Sequence, residues 1–313
     1  FMMSGKTGQD GRIHSSWNHL EAILELLFIE KKIPPENVQI HAVLDGRDSS
    51  PFGSVNNAGE IGNYLDLLKE LLNNYGAERC LAWVIGRSIA MDRDYREDLA
   101  KTNYELITKG IGKTVNNFKE LKKHIIKCHK LGMTDQDIPP IVVSNEAYRL
   151  PTMKTGDAFI NLNFRSDRQR SITGSLANAK NFLFNESKKH GTLWKMDWMR
   201  KDLNLEICTL TEYHPSFEQD YNVSVAFPIK PHINNFFSQW DTITKNGKYL
   251  LVSESVKSPH MGYFIRGRRE KPTSDNESSY IIQSHGKNEG IITDTDFYKT
   301  PSMRTSEISS YVT

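Results

Sequence analysis

Five arginines, each a few residues beyond an apolar stretch, carry the chemistry that can be read from this sequence. They are Arg47 in Asp45-Gly46-Arg47-Asp48, Arg87 and Arg93 in Gly86-Arg87-Ser88-Ile89-Ala90-Met91-Asp92-Arg93-Asp94, and Arg165 and Arg168 in Asn163-Phe164-Arg165-Ser166-Asp167-Arg168. A guanidinium is planar, permanently charged and forked, so it matches phosphate and carboxylate oxygens two at a time. Each apolar stretch reads as a β-strand, which places the arginines at strand C-terminal ends, the edge where open α/β sheets bind ligands. Five such groups with interspersed carboxylates at one crevice point to a small, multiply anionic, phosphorylated substrate. One Asp-Gly-Arg-Asp tetrapeptide alone is more often a solvated turn with an ion pair. Recurrence after three strands in series is what favours the binding reading.

Spacing refines this. Arg87 and Arg93, six residues apart, suit an irregular loop rather than one helix face, and Asp92 or Asp94 would cap the helix that follows. Arg165 and Arg168 would share a face if a helix begins there, and its N-terminus would add to the pull on an anion. His14, in Asp10-Gly11-Arg12-Ile13-His14-Ser15-Ser16, precedes the first helix. Such a histidine is more often a hydrogen-bonding cap, yet the hydroxyls, the glycine and the helix start favour a phosphate contact.

The elements that must position these groups alternate. Trp17, Leu20, Leu24, Leu27 and Phe28 mark a helix stopped by Pro34-Pro35, and Val38 to Leu44 reads as the strand leading to Asp45. Ile61, Leu65, Leu68 and Leu72 mark a second helix, and Cys80 to Ile85 reads as a buried parallel strand. Helices are expected over Tyr95–Lys109, with Gly110 as stop, and over Asn116–Leu131. Ile141–Ser144, Ala158–Phe164 and Leu205–Thr211 are further strands. The pattern predicts an α/β fold, a mostly parallel sheet flanked by helices. Residues 1–226 form its first domain, with a stiff hinge at 227–231 around Pro228 and Pro231. A shorter unit at 232–313 has strands at Tyr249–Ser253, Tyr263–Arg266 and Tyr280–Gln283, and reads as incomplete.

At 313 residues the chain can bury a large core. Forty Lys and Arg against thirty-eight Asp and Glu leave a net charge of +2, dispersed rather than gathered, which argues against nucleic acid as the main partner. Cys80, Cys128 and Cys208, odd in number and far apart, fit a reducing cytoplasm better than a disulfide framework. No apolar run approaches a membrane span, and the opening residues lack a signal-peptide shape and read as starting inside a fold. Two short patterns mislead. Gly5-Lys6-Thr7 mimics the end of a phosphate-binding P-loop without its first glycine or its helix. His124, Cys128 and His129 lie among lysines on a helix whose pattern already explains Cys128 as core.

Taken in order, these segments resemble the cofactor-independent (2,3-bisphosphoglycerate-independent) phosphoglycerate mutases. The resemblance runs from Asp10-Gly11, His14 and Asn18-His19-Leu20 through the three arginine segments to Thr211-Glu212-Tyr213, Ala226-Phe227-Pro228 and Lys257-Ser258-Pro259-His260. It implies the family's transferase domain followed by part of an alkaline-phosphatase-like α/β segment. It implies substrate contacts at His14, Arg47, Asp48, Arg87, Arg93, Arg165, Arg168 and Lys257, with Asp48 and Arg165 as catalytic groups. Asp48 is expected to hold or deprotonate a glycerate hydroxyl, and Lys257 to reach the transferring phosphoryl group. The family also uses a serine nucleophile and two manganese ions, but segments of the Asn-Ser-Glu-Val-Gly-His, Asp-x-x-Gly-His and Asp-His-Gly-Asn types do not occur in this sequence. Ser88-Ile89, Ser166 and Ser16 stand where the family usually has tyrosines, a proline and a second histidine. The expected activity is interconversion of 3- and 2-phosphoglycerate in glycolysis. This chain would carry the substrate-binding part, either as a fragment of a longer gene product or as one piece of a split enzyme with a separate chain as the source of the phosphatase-like part. The alternative is a non-catalytic phosphoglycerate-binding or regulatory protein, and a nucleotide-binding protein using Lys6 is a weaker third reading.

Overall fold

The structure is a computed structural model that describes residues 2–3, 13–55, 63–144, 151–228, 247–254, 258–267, 269, 271–272 and 275–282. Gly5-Lys6-Thr7, Asp10 to Arg12 and Lys257 lie outside the described residues. The chain divides into two compact units, Phe1–Pro228 and Ile229–Thr313.

The first unit holds two sheets. Five strands, β1 (Met2–Met3), β2 (Ile40–Leu44), β3 (Leu81–Gly86), β4 (Lys113–Val115) and β5 (Ile141–Val143), lie in the order β1-β2-β3-β5-β4. All its neighbouring pairs are parallel except β3 with β5. Three more, β6 (Ala158–Asn161), β7 (Glu206–Thr209) and β8 (Val223–Val225), form a fully parallel second sheet. The three arginine segments therefore follow strands of two different sheets, not one.

Both faces of the first sheet are covered: from Trp83 on, successive side chains of β3 point to opposite sides, and the register shift against β2, where Ile40 pairs with Leu81 and His41 with Trp83, takes Leu81 out of that alternation. On β3, Leu81 and Val84 join a core with Leu20, Leu65, Leu68, Leu121 and Ile125, supplied by helices α1 (Trp17–Glu25), α2 (Tyr64–Asn73) and α5 (Phe118–Lys130). Trp83 and Ile85 join the other core with Tyr104 and Ile107 of α4 (Glu97–Lys109) and with Ile207, Tyr213 and Phe217 of the three-stranded part. Burial on both faces gives β3 its uninterrupted apolar sequence. Helix α4 stops at Gly110 in a left-handed conformation, and α5 starts at Asn117, whose side chain accepts from Glu120 N–H.

Backbones approach closely at the strand ends that carry the chemistry. Gly46 has φ +67° and abuts the Asp135–Asp137 turn, where a Cβ would lie 2.8 Å from Gln136 N. Gly86, ending β3, meets the same turn: its N–H donates to Ile138 O, and a Cβ would lie 2.7 Å from Ile138 N and closer still to Gln136. Gly86→Ala is therefore expected to destabilise the fold by about 1–3 kcal/mol, the usual cost of forcing atoms into a packed site. Urea unfolding checks this, and a midpoint unchanged from the wild type would show that the turn can move away.

Helices α6 (Arg170–Leu176) and α7 (Lys180–Lys189), not expected from the sequence, hide behind a run in which Ser171, Thr173 and Ser175 are buried beside Ile172 and Leu176. With small polar residues inside, no apolar stripe marks α6. In the second unit, β9 (Tyr249–Glu254) and β10 (Glu277–Ile282) pair in parallel. The segment Tyr263–Arg266, expected as a strand, lies instead on the helix Ser258–Ile265 and the turn after it. Parallel neighbours need such a crossover, and a short apolar run does not distinguish it from a strand. No helix among the described residues is long and apolar enough to cross a membrane.

Candidate functional site

Arg87 anchors the site. The end of β3 delivers it into a single helical turn, Arg87–Ala90, and its side chain is buried. Its Nη1 donates to Asp45 Oδ1 at 2.5 Å and to Asp48 Oδ2 at 2.6 Å, and its Nη2 lies 3.1 Å from His14 Nε2. Asp45, at the end of β2, is 1% exposed, and its Oδ1 also accepts from the backbone N–H groups of Arg47 and Asp48. One carboxylate thus folds its own loop and fixes a guanidinium from the next strand. Burial pulls Arg87 down, but Asp45 and Asp48 more than reverse this and raise it. Burial likewise pushes the Asp48 carboxyl up, while the Arg87 hydrogen bond and charge, with His14 and Arg165, hold it below its ordinary value.

His14 is fully buried. Burial first, then the charges of Arg87 and Arg165, pull it down to about 3, so the ring is neutral near pH 7. A guanidinium can only donate, so Nε2 accepts and the proton sits on Nδ1. That Nδ1–H is buried without a hydrogen-bond partner among the described residues. His41 is also pulled down to about 3, chiefly by burial. Both folded values lie below the unfolded one near 6.5, so as pH falls from 6.5 toward 3 the unfolded chain takes protons that the folded chain refuses. Stability is expected to fall by about 1.4 kcal/mol per pH unit for each histidine within that window. Urea unfolding at pH 7 and 5.5 measures the slope, and His14→Gln should remove about half of it. A flat profile over that interval would contradict both buried, neutral rings.

The third segment is held from several sides. Phe164 N–H donates to His14 O at 2.7 Å, and Thr211 Oγ1 donates to Phe164 O at 2.7 Å. The Tyr213 hydroxyl donates to Asn163 O, and Arg170 Nε donates to Tyr213 O at 2.8 Å. These bonds give Thr211 and Tyr213 a role, fixing the loop that carries the arginines. Arg165 forks onto Asp167, Nε to Oδ1 at 2.6 Å and Nη2 to Oδ2 at 3.1 Å, and Arg93 Nη1 lies 3.9 Å from the same carboxylate. Arg168 donates from Nη1 to Met91 O at 3.0 Å, joining the second segment to the third. Its Nε is buried with no hydrogen-bond partner among the described residues. Burial and the charges of Arg93, Arg87 and Arg47, against Asp167, pull Arg168 down to about 10.

The structure thus brings together His14, Asp48, Arg87, Arg93, Arg165 and Arg168. Arg47 has an exposed side chain whose charge still reaches Arg168, and Lys257 lies outside the described residues. The condition under which Arg165 and Arg168 would share a helix face is not met: residues 167–169 form a turn, and α6 starts at Arg170. Asp92 serves the following helix, accepting from Arg96 N–H at 2.9 Å and from the Arg96 guanidinium. Asp45 and Asp167, which organise the arginines, were visible as neighbours in the motifs but had no individual signal of their role. Among the described residues no group of three or more His, Cys, Asp or Glu side chains could hold a metal ion. Asp45, Asp48 and Asp167 are engaged by guanidinium groups, so the two manganese ions implied by the resemblance do not fit this set of residues.

Comparison with known proteins bears on the family and the fold. Residues 8–215 match the family model described as BPG-independent PGAM N-terminus. The 2,3-bisphosphoglycerate-independent phosphoglycerate mutase of Clostridium botulinum is 33% identical over 88% of this chain and 47% of its own length. That of Thermomicrobium roseum is 33% identical over 84% of this chain and 44% of its own. A crystal structure of Leishmania mexicana phosphoglycerate mutase at low cobalt concentration superposes with a TM-score of 0.68 over 99% of this chain and 50% of that one. At 22% identity it speaks for the fold alone. The chain spans about half the length of the curated relatives it matches. On its motifs, its fold and these matches, the chain belongs to the 2,3-bisphosphoglycerate-independent phosphoglycerate mutase family, whose N-terminal part it shares.

Proposed function

We propose that this chain is the phosphoglycerate-binding part of a cytoplasmic, glycolytic phosphoglycerate mutase, and that the phosphoryl-accepting serine and its metals act from a separate phosphatase-like part. The state of Arg168 carries the reading. It is a half-buried cation with the charges of Arg93, Arg87 and Arg47 around it, and its Nη1 donates to Met91 O. Like charges gathered in a partly dry site call for a ligand that brings negative charge, as a phosphorylated hydroxy acid does.

In this reading Arg168, Arg93 and Arg47 take the phosphate, and Arg165 exchanges Asp167 for the substrate's oxygens. His14 Nδ1–H adds a neutral donor. Asp48, held ionised by Arg87 below the ordinary carboxylate range, is a poor proton acceptor near pH 7. It orients the glycerate hydroxyl by accepting its hydrogen bond. Positioning and charge compensation supply most of the catalysis in phosphoryl transfer, and both are what these residues provide.

Arg165→Ala is expected to weaken 3-phosphoglycerate binding by about 1.5–3 kcal/mol, the range for hydrogen bonds to charged groups. Calorimetry on the full chain reads this, with circular dichroism to show that the variant folds. Equal affinity in the two proteins would remove Arg165 from the clamp. In a mutase assay with manganese, turnover by this chain alone would contradict its reading as a binding part.

A further inference from the structure

A cavity of about 530 Å³ lies in the first unit between the five-stranded and three-stranded sheets, apart from the guanidinium contacts described above. That is the volume range of small-molecule sites, which are mainly apolar with a few placed polar groups. Its wall is more mixed, with polar and apolar surface in comparable amounts. Leu24, Ile40, Ile107, Met153 and Ile172 are buried apolar residues lining it. Glu36, Lys154 and Asp157, which also line it, are exposed and form a polar rim.

Three polar side chains lining the cavity are only partly engaged. Trp83 Nε1, Asn103 Oδ1 and Gln169 Nε2 are buried with no hydrogen-bond partner among the described residues. Their geometry is nevertheless fixed. Asn103 Nδ2 donates to Ala90 O at 3.3 Å, and Gln169 Oε1 accepts from Asn161 Nδ2 at 2.9 Å. Those bonds assign the amide orientations, leaving an oxygen on Asn103 and an N–H on Gln169 to be satisfied. Buried polar groups in folded proteins are almost always paired, so these three orphans on one cavity wall mark a place built for a partner. Among the described residues the ionised groups lining it, Glu36, Lys154 and Asp157, are the exposed ones of the rim, and His41, which also lines it, is neutral near pH 7 because burial holds it uncharged.

We propose that this cavity is a second ligand site, for a neutral small molecule with a carbonyl-type acceptor, an N–H or O–H donor and an apolar part to meet the aliphatic wall. The acceptor receives from Trp83 Nε1 or Gln169 Nε2, and the donor gives to Asn103 Oδ1. Among the described residues Lys154 at the rim is the one cation that lines it, so the site does not offer the several guanidinium groups an anion such as phosphoglycerate would meet at the clamp. The site does not depend on the arginine clamp being a phosphoglycerate site.

Acetanilide, a neutral aromatic amide with both groups, is a suitable probe, and propylbenzene of similar bulk is its apolar counterpart. The indole N–H resonance of Trp83, identified by its loss in Trp83→Phe, reports on binding to the full chain. The expected result is a saturable shift with acetanilide, at an affinity at least about fivefold above that of propylbenzene, as the hydrogen-bond contribution implies. Asn103→Leu should reduce that preference toward unity while propylbenzene still binds. Ile107→Trp should abolish binding of both probes by filling the cavity. If Asn103→Leu fails to fold, Gln169→Met, which removes an N–H at similar size, tests the same preference. No saturable shift of Trp83 with acetanilide, or equal affinity for the two probes, would overturn the proposal. So would competition of acetanilide with inorganic phosphate in the absence of a Trp83 shift, which would place the probe at the arginines.

Discussion

Arg168→Met is expected to weaken 3-phosphoglycerate binding by about 10- to 150-fold, the equivalent of 1.5–3 kcal/mol, while the unliganded protein melts no lower than the wild type. The two halves of this result rest on the same cause. Arg168 is held among Arg93, Arg87 and Arg47, and burial with those charges pulls it down to about 10. A base whose folded value lies below its unfolded one is destabilising while it is charged, and that penalty is relieved only as pH rises above about 10. Methionine removes the penalty and keeps much of the bulk, at the cost of the bond to Met91 O. A ligand that supplies negative charge relieves the same penalty, so the residue that strains the free protein is the one the anion needs. Calorimetric titration and thermal melts of the two proteins check this. A clear drop in melting temperature with unchanged affinity would make Arg168 a structural residue and remove the central support for the anion clamp.

Arg87→Met should act in the opposite way and cost about 3–5 kcal/mol of stability, because removing one partner of a buried ion pair strands the other. The stranded group is Asp45, whose side chain is fully buried and whose Oδ1 also holds the backbone of its own loop. The pair of variants distinguishes an organising arginine from a ligand-facing one, although both stand in similar sequence contexts. Asp45→Asn added to Arg87→Met should recover part of the loss by removing the uncompensated charge. Urea unfolding measures the three proteins, and a loss below about 1 kcal/mol in Arg87→Met would show that Asp45 finds other support.

Much of the positioning was legible in the residues themselves. The strand before Arg87 announced itself because burial on both faces leaves a continuous apolar run, and Gly110 marked a helix end through its backbone freedom. The mutual arrangement was less so. Nothing in the spacing of Ala158–Asn161 shows that it belongs to a second sheet, since strand pairing is a tertiary fact. Arg165 and Arg168 read as one helix face because three-residue spacing is compatible with both a helix and a turn. Which arginine is neutralised and which is crowded depends on Asp45, Asp48 and Asp167 meeting them from other segments. A linear motif places those carboxylates nearby without saying whom they face.

The most direct test is an isothermal titration of the purified full chain with 3-phosphoglycerate, without metal. The account predicts saturable binding at one site per chain, weakened in Arg168→Met and Arg165→Ala. A chain that is folded by circular dichroism yet gives no binding heat at any temperature tried, and no protection from thermal unfolding by 3-phosphoglycerate, would contradict it.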